Sequence, residues 1–168
     1  AGGPTRAASV LHGLQALVTA DASDWVLVHD AARPCLSRRH VEALIAACRR
    51  DPVGGLLAVP VADTLKQADD HGRCQRTLPR ERVWSAQTPQ MFRHGRLTRA
   101  LTQALGEGFE ATDEAAAIEG LGLRPPLRQL QAGAQPAPQD VAPHQHVVAA
   151  ACGHRRVHAA RVFAVGDQ

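Results

Sequence analysis

The stretch Trp25-Val26-Leu27-Val28-His29-Asp30-Ala31-Ala32-Arg33-Pro34 constrains this chain more than any other. Its four leading apolar residues have the length and type of a strand buried on both faces. Strands of that kind belong to sheets covered by helices on each side, which points to an α/β fold with a largely parallel sheet. Just past the strand's end stand a carboxylate, Asp30, and a guanidinium, Arg33. In open α/β sheets this is the edge where ligands bind. A carboxylate there suits a sugar hydroxyl or a magnesium nucleotide, and the arginine suits a phosphate held by two parallel hydrogen bonds. The same residues read equally well as an Asp capping the next segment and an Arg in a surface ion pair.

The rest of the chain supports alternating helices and strands. Val10, Leu11, Leu14, Leu17 and Val18 recur at helical spacing and predict a helix over 6–19. Ser37 is a plausible N-cap for a helix whose apolar face is Val41, Leu44, Ile45 and Cys48. Gly54-Gly55 breaks the pattern, and 56–61 reads as a second buried strand. The polar stretch 62–76, with Asp69-Asp70-His71-Gly72 at its tip, predicts a protruding hairpin arm. A mixed segment, 83–92, precedes a helix with Leu97, Leu101 and Leu105 on one face and glycine stops at 106 and 108. Thr112-Asp113-Glu114 opens a further helix with a cap and an acidic first turn. Residues 1–130 therefore read as one domain, and 131–168, rich in Gln, Ala, Pro and His without period, as an atypical tail that is disordered or out of frame.

Composition narrows the function. At 168 residues the chain can bury about two-thirds of its unfolded surface. No apolar run approaches the roughly 20 residues that cross a bilayer, and no secretory signal is visible, so a cytoplasmic location without membrane contact is expected. The net charge of +3 comes from scattered arginines, with only two Trp and three Phe for base stacking. That favours small phosphorylated ligands over nucleic acid. Cys35, Cys48, Cys74 and Cys152 form no C-x-x-C pair and read as reduced, buried thiols. His144, His146, Cys152, His154 and His158 include an H-x₃-H pair, but their spacing matches no common zinc pattern.

The residues Val26 to Arg33 resemble the [I/V]-x-[I/V]-H-D-[small]-[small]-R signature of the 2-C-methyl-D-erythritol 4-phosphate cytidylyltransferase family. Other segments match it in order: Gly2-Gly3 through Arg6 with Ala8-Ser9-Val10; Leu57 to Lys66; Arg80 with Trp84-Ser85-Ala86-Gln87-Thr88-Pro89-Gln90-Met91-Phe92; and Ala111 to Ala115. The resemblance covers roughly residues 1 to 130. It implies a Rossmann-like nucleotidyltransferase fold and transfer of CMP from CTP to methylerythritol phosphate with release of pyrophosphate, in isoprenoid biosynthesis, with Mg²⁺. It implies that Gly3, Ser9 and Asp30 lie against the nucleotide. Arg33, Thr64, Thr88 and Arg80 would hold the substrate, with Arg80 aiming its phosphate at the α-phosphorus. Because the arm positions matching Thr64 and Arg80 cross a dimer interface in the family, a homodimer through 62–80 is implied. Asp30, Arg33 and Arg80 are expected to converge on one pocket.

Two family elements have no counterpart in the sequence. One is the P-A-A-G-x-G-x-R-M and P-K-Q region, a phosphate loop with transition-state cations; the other is N-[I/L]-K-V-T-x-P-E-D, whose lysine seats the substrate phosphate. The resemblance therefore implies that the first βα unit is missing and that this chain alone has little activity. A ribitol 5-phosphate cytidylyltransferase and a non-catalytic dimerising remnant are the alternatives.

Overall fold

The computed structural model describes residues 3–30, 32–33, 35–129, 147–152 and 163–165, the last two segments as backbone. Helix α1 spans Arg6–Gln15, with Thr5 as N-cap accepting from the Ala8 amide. It stops four residues short of the predicted end, so Val18, expected on the apolar face, is exposed. Strand β1 spans Trp25–Asp30 and takes His29 and Asp30 into the sheet. Helix α2 follows at Arg38–Cys48, capped by Ser37 as its sequence suggests.

Strand β2 spans Gly54–Pro60, beginning two residues before the predicted run. The glycine pair lies inside the strand because the neighbouring chain comes too close for a side chain. Gly54 has φ of 117°, and a Cβ there would lie 2.3 Å from the Met91 carbonyl oxygen. Only glycine adopts that backbone cheaply. Strands β3, Leu65–Ala68, and β4, Cys74–Leu78, form a separate two-stranded sheet, the expected arm. Strand β5 (Trp84–Arg93), helix α3 (His94–Gly106), helix α4 (Glu114–Gly120) and strand β6 (Leu127–Gln129) complete the compact part. Strands β7, Val147–Cys152, and β8, Phe163–Val165, lie in the segment read as a tail.

The main sheet has the order β6-β2-β5-β1-β7-β8. Strand β5 is antiparallel to both β1 and β2, so those two run in the same direction, as does β6 beside β2. The sheet is mixed, with β5 and β7 opposing the rest. Alternation along β1 sends Val26 and Val28 to one face, where they pack with α1, α3 and α4 around Leu14, Phe92, Leu97, Leu101 and Ile118. Trp25 faces the other way, against Leu44 and Cys48 of α2 with Leu57 and Met91. Helices on both faces explain why β1 reads as a continuous apolar run rather than an alternating one. Cys48 is buried as expected, whereas Cys35 and Cys74 are exposed, one in the loop before α2 and one on the arm. The histidines of 144–158 and residues 157–162 lie outside the described residues.

Candidate active site

The pairing of β1 with β5 sets up the site. The ladder matches Val26 with Phe92, Leu27 with Met91 and Val28 with Gln90. The next residue of β5 is Pro89, which has no N–H to give. One step on, the Asp30 amide donates instead to the Thr88 hydroxyl oxygen, at 3.2 Å. On its other side β5 bulges: between the pairs Leu56–Gln90 and Ala58–Ala86 it passes Gln87, Thr88 and Pro89 against Leu57 alone. Bulges re-aim side chains and favour functional edges. Here the bulge brings Gln87 and Thr88 beside the C-terminal end of β1.

Asp30, buried at that edge, has a guanidinium on each oxygen. Its Oδ1 accepts from Arg6 Nη2 at 3.0 Å, and its Oδ2 from Arg33 Nε at 3.3 Å. Arg33 also donates through Nη1 to Gln87 Oε1. Behind Asp30, Arg6 reaches Glu114 with both terminal nitrogens, at 2.6 and 3.1 Å. Two cations and two anions thus share one cluster, and Glu114 is fully buried. Burial pushes the Glu114 carboxyl above its ordinary range, against the pull of Arg6. Burial by itself would lower the Arg6 pKa, but Glu114 and Asp30 outweigh it and raise the value. Glu114 is held in place by the start of α4. Asp113 caps that helix, accepting from the Ala116 amide at 2.7 Å and from Gln90 Nε2 at 2.8 Å, while Gln90 accepts from the Ala115 amide at 2.8 Å.

His29 ties the turn after β1 to β5. Its Nε2 lies 3.0 Å from the Arg33 carbonyl oxygen and its Nδ1 2.9 Å from the Thr88 hydroxyl. Burial lowers its pKa, against the hydrogen bond to the Arg33 carbonyl and the charge of Asp30, which both raise it, while the Arg33 charge adds a smaller downward push.

The structure therefore brings together Asp30, Arg33 and Thr88 among the expected residues. Gly3 and Ser9 meet each other at the start of α1, where the Gly3 amide donates to Ser9 Oγ at 2.8 Å. A Cβ on Gly3 would lie 2.6 Å from that of Ala8, so glycine is needed for this approach. Thr64 and Arg80 are exposed on and beside the arm, Arg80 donating to the Ala62 carbonyl. Among the described residues no hydrogen bond or ion pair joins either of them to Asp30 or Arg33. Arg6, Glu114, His29 and Gln87 are neighbours of this cluster that lie in the matched segments but were given no role from the sequence. Glu114 stood out only as a member of the matched segment Ala111 to Ala115 and as a first-turn acid of a capped helix, and such an acid is usually solvated.

Residues 1–135 match the family model described as 2-C-methyl-D-erythritol 4-phosphate cytidylyltransferase (IspD). The chain belongs to this family. The family's enzyme of that name from Aromatoleum aromaticum is 61% identical over 127 residues, covering 75% of this chain and 53% of the relative. Its counterpart from an Azoarcus species is 60% identical over 129 residues, covering 76% and 53%. The crystal structure of the cytidylyltransferase from Thermus thermophilus superposes with a TM-score of 0.71 at 36% identity, over 83% of this chain and 66% of that one. The Francisella tularensis structure gives 0.72 at 37% identity, over 76% and 60%. The chain spans about half the length of the curated relatives it matches.

Within this cytidylyltransferase fold, no described helix is long and apolar enough to cross a membrane. No group of three or more His, Cys, Asp or Glu side chains among the described residues could cage a metal ion. Both oxygens of Asp30 already lie on guanidinium groups.

Proposed function

We propose that this chain carries part of the active site of an enzyme that transfers a cytidylyl group from CTP to 2-C-methyl-D-erythritol 4-phosphate, releasing pyrophosphate, in cytoplasmic isoprenoid synthesis. The observation that carries the reading is the gathering of Asp30, Arg33 and Thr88 at the C-terminal edge of β1, in a member of the family named for that reaction. In this transfer a substrate phosphate oxygen bonds to the α-phosphorus of CTP while the bond from that phosphorus to the pyrophosphate oxygen breaks. A phosphate oxygen that is already ionised needs no general base. Rate then comes from holding the two anions in line and neutralising their charge.

Arg33 supplies one such cation on the polyol phosphate. It is held ready by Asp30 and Gln87, and its planar fork can exchange either contact for a phosphate oxygen. Gly3 and Ser9, at the start of α1, lie on the nucleotide side under this reading, where backbone amides favour an anion. The described residues do not build a cage for Mg²⁺, so the cation is assigned to the CTP triphosphate it arrives with, as is usual for magnesium nucleotides. Thr64 and Arg80 act on a second copy's substrate in a homodimer joined through the arm, a reading supported by their exposure on and beside that arm.

Pyrophosphate release from CTP, measured on the intact protein with methylerythritol phosphate and ribitol 5-phosphate in parallel, tests this. Faster turnover by about tenfold or more with methylerythritol phosphate is expected. Preference for ribitol 5-phosphate would reassign the substrate. Absence of both turnover and calorimetric CTP binding would leave a dimerising remnant and overturn the proposal.

A further inference from the structure

The hydroxyl of Thr88 is hemmed in by its own chain in a way that fixes what it can offer a ligand. The Arg33 carbonyl oxygen can only accept, so Nε2 of His29, 3.0 Å away, carries the ring proton. In the neutral ring Nδ1 is then a lone pair, and the Thr88 hydroxyl 2.9 Å from it must donate. The same oxygen accepts from the Asp30 amide at 3.2 Å. A threonine hydroxyl has one proton and two lone pairs. The proton and one lone pair are committed, and 9% of the residue's surface stays open.

We infer that His29 is a positioning residue that sets the hydrogen-bond polarity of Thr88, leaving its Oγ able to take a ligand as an acceptor only, so that Thr88 reads a hydroxyl of the polyol and rejects a phosphate oxygen. The inference rests on the proposed polyol phosphate substrate. It divides the labour between the turn after β1 and strand β5: Arg33, a pure donor, takes the phosphate, and Thr88, a pure acceptor, takes the alcohol. The Arg33 carbonyl fixes the tautomer, so a single loop sets both halves of the recognition.

Nitrogen-15 NMR of the His29 ring in the wild-type protein reads the tautomer directly, and a protonated Nε2 beside an unprotonated Nδ1 is expected. The second measurement compares kcat/KM for the polyol phosphate with that for analogues lacking one hydroxyl each. For at least one position, His29→Phe should shrink that discrimination about tenfold, chiefly through KM for the polyol, with KM for CTP unchanged. Thr88→Val, which keeps the shape and removes the hydroxyl, should do the same. A purely structural His29 would lower both substrates together and leave the ratio standing. An Nδ1–H tautomer, or a ratio that survives both substitutions, overturns the inference while the functional reading stands. Absence of turnover with every polyol phosphate would overturn that reading instead, and the ring spectrum would still report the tautomer.

Discussion

Arg6 grips Glu114 through two hydrogen bonds, at 2.6 and 3.1 Å, with the carboxylate wholly out of water. This pair pins the first turn of α1 to the first turn of α4 and leaves Arg6 one nitrogen face for Asp30. Removing one partner strands the other charge in the interior. Arg6→Ala is expected to cost about 3–5 kcal/mol in urea unfolding. The double variant Arg6→Met with Glu114→Leu should regain part of that loss, and a double variant no better than Arg6→Ala would show that the cost lies elsewhere.

His29 gives stability a pH dependence of known sign. Its folded pKa lies below the ordinary 6.5, chiefly through burial. The folded state therefore binds fewer protons than the unfolded chain, so this contribution is full above 6.5 and is lost as pH falls through the lower folded value. Denaturation midpoints should drop across that interval, and the drop should be smaller in His29→Gln. An equal slope in the variant would remove His29 as its source.

Thiol chemistry should sort the described cysteines cleanly. Burial pushes the Cys48 thiol up to about 12, against the pull of Arg128, while Cys35 and Cys74 are exposed. The thiolate is the reactive form. A chromogenic disulfide reagent at pH 8 should label Cys35 and Cys74 promptly and Cys48 only on unfolding, as read by peptide mass spectrometry. Early labelling of Cys48 would mean that the α2 face opens in the native state.

The arm assignment can be tested by mixing two inactive proteins. Arg80→Ala should slow transfer by about 10²–10³-fold, as loss of one preorganised charge does, and Asp30→Asn should disable the other side of the site. If the arm serves a second copy, equal mixing places both lesions in one of the two sites of each mixed dimer. About a quarter of the wild-type activity should return. No recovery after subunit exchange would refute the shared site.

Gly54→Ala offers a control remote from the chemistry. With φ of 117° and the Met91 carbonyl in its way, an added methyl must move strand β5. A loss of about 1–3 kcal/mol is expected. A neutral result in thermal unfolding would mean that β2 and β5 can separate without cost.

Much of this was legible in the chain. The apolar run of β1 and the caps Ser37 and Asp113 announce their elements through local chemistry, and Asp30 and Arg33 follow from their place at and just past the end of a buried strand. The mixed direction of the sheet was not legible, because β5 reads as a mixed segment and no local pattern reveals which neighbours it will pair with. Gly54 and Gly55 looked like a break because their reason is the nearness of Met91, far away in sequence. Arg6 and Glu114 are 108 residues apart, and each alone is an ordinary first-turn helix residue. Only the gathering of α1 and α4 around one core, with α3 packed against both, makes them partners.

Because β5 lies antiparallel along β1, the site behaves like a vernier. Gliding one strand past the other by a single notch would keep much of the sheet's bonding yet put Pro89 or Gln87 where Thr88 now stands, with the side chains of the moved strand turned to the opposite face. Insertions or deletions of one residue between 84 and 93 should therefore abolish recognition altogether rather than weaken it, whereas equal changes at the hairpin tip around Gly72 leave this alignment untouched.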